Sequence, residues 1–67
     1  MSHTEMMFGQ MFEPQIVEEN LGQVLDKFNA AYAQRQNFVP LTDYPSGAPV
    51  VISITDVIKM REVDPDV

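Results

Sequence analysis

Acid–base and metal chemistry in this sequence would have to be built from one imidazole, His3, no thiol and ten carboxylates. A catalytic centre needs a nucleophile, a base and a group that orients them, or a metal with enough ligands. His3 lies near the N-terminus with no second ligand close in sequence, and the absence of cysteine removes any thiolate zinc site. Glu18 and Glu19 are adjacent, so on a helix they diverge by about 100°. Asp64 and Asp66 flank Pro65, and a loop for a hard cation would need more oxygen ligands at defined spacing. No glycine-rich phosphate loop is present. The expectation is a protein that is not an enzyme and holds no cofactor or metal.

Two groups of side chains suit binding better than catalysis. Thr42, Asp43, Tyr44 and Ser46 gather hydroxyls, a carboxylate and a phenol beside Pro45 and Gly47, in a segment with the chemistry of a turn. Loops on a rigid scaffold are where contacts usually sit. Tyr44 either anchors a partner, through a broad apolar face with a polar end, or folds back over the hairpin. Lys59 and Arg61 are the local basic pair and share a face if their segment is a strand. They either bind a carboxylate or phosphate, or act as charges that guard a sheet edge.

The elements that must position these groups can be read from periodicity. Residues 1–12 form a Met-rich leader, with Met6, Met7, Phe8, Met11 and Phe12, either frayed or docked on a neighbour through adaptable methionines. Residues 13–67 form a single domain. From Pro14 to about Gln36 apolar residues recur at helical spacing: Val17, Leu21, Val24, Phe28 and Ala31, with Leu25 and Tyr32 widening the stripe. Asn20 and Gln23 make a capping box that would start the helix at Leu21 and leave Ile16 and Val17 extended. Phe38–Thr42 is a short strand marked as an edge by Pro40. Pro49–Ile54 is the strongest strand, β-branched at Val50, Val51, Ile52 and Ile54. Thr55–Asp56 caps a turn, and Val57–Val63 alternates in a way that favours a strand over a helix before Asp64-Pro65-Asp66 stops it.

The resulting fold class is α+β: one N-terminal amphipathic helix packed on a three-stranded antiparallel β-meander. The predicted core is Leu21, Val24, Leu25, Phe28, Tyr32, Phe38, Leu41, Val51, Ile52, Ile54, Ile58 and Met60. Because Val51 interrupts the alternation of Val50, Ile52 and Ile54, the strongest strand is apolar on both sides. It therefore calls for a second covering layer, from the leader or from another subunit.

Phe38-Val39-x-Leu41-Thr42, the Gly47 turn, Pro49-Val50-Val51-Ile52, the polar dip at Thr55-Asp56, then Ile58 and Glu62 follow one another as in flagellar FlbD-type small β proteins, which residues 38–62 resemble. The resemblance implies a meander and a binding or regulatory role, and carries no functional residue over. It does not extend to the preceding helix.

Composition narrows the functional classes. A chain of 67 residues holds one domain, and a single core of this size rarely supplies more than about 3 to 5 kcal/mol without reinforcement. Disulfides and thiolate metal sites are unavailable to it, so self-association, as a dimer or larger, is the expected support. A net charge of −6 argues against nucleic acid or an anionic membrane as ligand. No secretory signal is visible and no apolar run reaches 18 residues, which points to the cytoplasm. The expected function is a small homo-oligomeric interaction or regulatory module that binds a protein partner. The alternative is a small-ligand-binding oligomer, a phage-type inhibitor or sequestering protein, with Tyr44, Lys59 and Arg61 lining a site between subunits.

Overall fold

The computed structural model describes residues 2–64. Its elements are β1 (His3–Phe8), β2 (Gln15–Val17), α1 (Leu21–Ala33), β3 (Phe38–Thr42), β4 (Pro49–Ser53), a 3-10 turn η1 (Ile54–Asp56) and β5 (Val57–Val63). Pro65 and Asp66, expected to stop the last strand, lie outside the described residues. The α+β class holds, but the strands form two antiparallel sheets, β2-β1-β5 and β3-β4, rather than one meander.

The stretch expected as a leader is the first point of correction. Residues 3–8 are the middle strand of the three-stranded sheet, pairing Thr4 with Val17 on one side and with Glu62 on the other. Met6 and Thr4 are fully buried and His3 nearly so. Met6 therefore belongs to this chain's own core while Met11 and Phe12 stay exposed, and residues 3–8 are part of the folded sheet.

The capping box decides where the helix starts. Asn20 Oδ1 accepts from the Gln23 N–H at 2.9 Å, and Gln23 Oε1 accepts from the Asn20 N–H at 3.0 Å, so two orphan donors are satisfied reciprocally. Pro14 stands before β2 and outside the helix. Glu18 and Glu19 precede the cap, and the first turn holds no acidic residue. At the other end the helix stops at Ala33, short of Gln36. The Gln36 N–H bonds to the Ala31 carbonyl and the Arg35 N–H to the Tyr32 carbonyl, which is the Schellman pattern. Arg35 takes the left-handed position with φ 57°, where glycine is usual.

A meander fails because the chain turns away after β4. The Asn37 carbonyl accepts from the Ile54 N–H at 2.8 Å, and Asn37 Oδ1 accepts from the Thr55 N–H at 3.2 Å. These bonds hold the 3-10 turn against the start of β3. The chain is thereby released to pair β5 with β1, with a register irregularity between Met7 and Phe8. The two sheets are joined where β2 meets the end of β3: Val17 bridges Asp43, Glu18 N–H donates to the Thr42 carbonyl at 2.8 Å, and Tyr44 N–H donates to the Ile16 carbonyl at 3.0 Å. The strands thus run β4-β3-β2-β1-β5 in space, with β4 and β5 at the two ends.

The core is Met6, Val17, Val24, Ala31, Val39, Leu41 and Ile52, with Phe8, Phe28, Val50, Ile54, Val57 and Met60 packed against it. Val24, Leu41 and Ile52 occupy their predicted places. Leu25, Tyr32, Phe38, Val51 and Ile58 are exposed instead. On α1 the buried line runs through Val24, Phe28 and Ala31, so Leu25 and Tyr32 stand on its flank. In the β3-β4 ribbon, Val39, Leu41, Val50 and Ile52 take the inner face, leaving Phe38 and Val51 outward.

Candidate functional site

The turn between β3 and β4 uses the polar groups that suggested a binding loop. Asp43 N–H donates to the Ala48 carbonyl, and the Gly47 N–H to the Asp43 carbonyl. The Asp43 carboxylate accepts from the Ser46 hydroxyl at 2.5 Å and from the Gln15 side-chain amide. These two bonds, Ser46 first, hold the Asp43 carboxyl below the usual aspartate range. Ser46 Oγ also accepts from the Ala48 N–H at 3.2 Å. Gly47 supplies a positive φ of 76° that a side chain would resist. The Tyr44–Pro45 peptide is cis.

Tyr44 is half-buried and folds back, against the strand ends and not outward. Its ring lies on His3, with centroids 4.2 Å apart and planes tilted by 37°. His3 Nδ1 in turn donates to the Glu18 carbonyl at 3.2 Å, and Thr4 Oγ1 donates to the Glu19 carbonyl at 2.9 Å. Asp43 and Tyr44 therefore tie the β3-β4 turn to β1 and β2, while Ser46 braces the turn from within. Lys59 and Arg61 project from β5, opposite Met7 and Glu5. Arg61 Nε donates to Glu5 Oε1 at 2.7 Å, and this bond with the carboxylate's charge raises the guanidinium's pKa. Among the described residues no three metal-ligating side chains converge, and no helix is long and apolar enough to cross a membrane.

The surface that stands out is apolar, and it lies elsewhere. Phe38 is 61% exposed and Val51 68% exposed. Pro40 is paired with Val51 across the ribbon, so the three side chains share its outer face. Beside them a hollow of about 270 Å³ runs between the second half of α1 and β3, bordered by Ala30, Ala31, Gln34, Phe38, Val39 and Pro40. A second apolar area lies at the β1-β2 loop, where Met11 and Ile58 border one hollow and the neighbouring Phe12 is fully exposed. The β-branched run of β4 was the signal for the first surface, because a strand apolar on both sides must leave one side to be covered.

Glu19 positions this ribbon against the helix. Its carboxylate accepts from the Thr42 N–H and from the Thr42 hydroxyl, both at 3.0 Å, with Lys27 Nζ 3.7 Å away. Burial raises the Glu19 pKa, but the Thr42 N–H, its own N–H, the Thr42 hydroxyl and Lys27 together outweigh burial and hold it below the usual glutamate value.

The arrangement defines a small α+β domain with an apolar sheet face and two sheet edges. Comparison with protein-family models, curated proteins and solved structures gives no match.

Proposed function

We propose that this protein is a non-enzymatic, homo-oligomeric interaction module of the cytoplasm, which regulates a protein partner. The observation that carries the reading is the uncovered outer face of the β3-β4 ribbon. The N-terminal stretch that could have covered it is committed to the other sheet, between β2 and β5, which leaves the ribbon, both its outer face and its β4 edge, to other chains. Contiguous exposed apolar surface on a small soluble domain marks an interaction site more often than a bare wall. The resemblance of residues 38–62 to FlbD-type small β proteins agrees with a regulatory role.

The alternative, a small ligand held between subunits by Tyr44, Lys59 and Arg61, draws its support from Lys59, which has no ion-pair partner among the described residues. It is weaker because Arg61 is engaged by Glu5 and Tyr44 by His3.

Light scattering coupled to size exclusion, over a wide concentration range, tests the reading. A mass of twice 7.6 kDa or more is the expected result. A monomer at every concentration sinks the proposal of self-association.

A further inference from the structure

Resting on that proposed self-association, we infer that two copies join edge to edge through β4, antiparallel and centred on Val51. The ribbon's own hydrogen bonds identify the free edge. Asn37 bonds Ile54, and Asp43 bonds Ala48. In an antiparallel ladder, hydrogen-bonded pairs alternate with non-bonded ones. The pairs Val39–Ile52 and Leu41–Val50 therefore carry the ladder, and Phe38–Ser53, Pro40–Val51 and Thr42–Pro49 do not. Both prolines sit in non-bonded pairs, where a missing N–H costs the ladder nothing. The Thr42 carbonyl and N–H, turned away from β4, meet Glu18 and Glu19 as this alternation requires.

The same parity turns the N–H and C=O of Val51 and Ser53, and the C=O of Pro49, away from β3. No backbone partner meets them among the described residues. A second β4 laid antiparallel across the Val51 positions exchanges two bonds between the Val51 residues. It adds one bond from each Ser53 N–H to the Pro49 carbonyl of the other copy. On the outer face the two exposed Val51 side chains become cross-strand neighbours. Shifting the axis to Ile52 would set Val51 against a serine instead. On the inner face the half-buried Val50 comes to lie opposite Ile52 of the second copy.

Charge separates this edge from the one at the other end of the strand order. β5 carries exposed Lys59, Arg61 and Glu62, the kind of charged guard that discourages pairing. β4 has no charged residue from Pro49 to Ser53, so self-pairing sets no like charges against each other. The occupant that fits is a second copy of this chain.

Cross-linking and a backbone block test the geometry. The natural chain has no cysteine, so Val51→Cys introduces one thiol per chain. A hydrogen-bonded pair places its Cα atoms about 5.5 Å apart, within the range of a disulfide. Val51→Cys is expected to form disulfide dimer at least about tenfold faster than Ile58→Cys, because pairing raises the local thiol concentration. Val51→Pro removes an N–H that serves no bond inside the chain. It is expected to yield a monomer with unchanged far-ultraviolet circular dichroism. If the parent protein is oligomeric while the two cysteine variants cross-link equally slowly, the β4 edge is the wrong interface and self-association stands. A parent protein that is monomeric throughout overturns both.

Discussion

Replacing Glu19 by alanine removes the clamp between the start of α1 and the end of β3, and its cost can be worked from the contacts. The carboxylate is 13% exposed and accepts two bonds from Thr42. Hydrogen bonds to charged groups contribute about 1.5 to 3 kcal/mol each in favourable settings. Desolvation of the carboxylate and partial access of water offset part of this, leaving roughly 2 kcal/mol for the pair. Lys27 adds a few tenths at most, since its own side chain is about half exposed. In a domain of this size roughly 2 kcal/mol lowers Tm by about 8 to 16 °C.

The assay is urea and thermal unfolding at one fixed protein concentration, so that any association contributes equally. Glu19→Gln keeps an acceptor for the Thr42 N–H and should lose about half as much. The pH dependence has a defined sign. A carboxyl whose pKa is lowered in the folded state contributes stability that is present above the unfolded value, about 4.3 for glutamate. That contribution is lost as pH falls through the folded pKa. The difference between the parent protein and Glu19→Gln should therefore be largest near neutrality and shrink in acid. A loss under about 0.5 kcal/mol for Glu19→Ala, or no coupling to Thr42→Val in a double-mutant cycle, would refute the clamp.

Deleting residues 1–8 removes the central strand of the three-stranded sheet together with buried Met6 and Thr4, and should abolish cooperative unfolding; a dispensable leader would leave the melting curve in place. Arg35→Gly relieves a left-handed residue that costs about 1 to 2 kcal/mol, less the added entropy of an unfolded glycine, and should raise stability by about 0.5 to 1 kcal/mol in urea titration. An unchanged midpoint would count against the Schellman end of α1.

Local interactions were legible in the sequence. The Asn20–Gln23 capping box, the stripe through Val24, Phe28 and Ala31 and the β3-β4 hairpin all depend on residues near one another in the chain, whereas the turn expected to be capped by Thr55–Asp56 has no side-chain cap and is held by the distant Asn37. The two-sided apolar character of β4, which called for a second covering layer, was legible in the same local way. Two signals were weaker. The stripe on α1 was wide enough to include Leu25 and Tyr32, and only packing against β1, β3 and β5 chose which of its edges is buried. Tyr44 offered two orientations, and the choice depended on His3, which lies on a different sheet.

Other features belonged to the tertiary structure alone. Residues 3–8 have few β-branched side chains, so intrinsic preference does not mark them as a strand. They become one because β2 and β5 supply hydrogen-bonding partners on both sides, with Arg61 meeting Glu5 across 56 positions of sequence. Helix caps and turns are set by neighbours in the chain, whereas a strand's partners and register are set by whatever surface the rest of the fold presents. That is why the helix and hairpin could be read directly, while the central strand, the split into two sheets and the exposure of Phe38 and Val51 were decided only when the whole chain closed on its core.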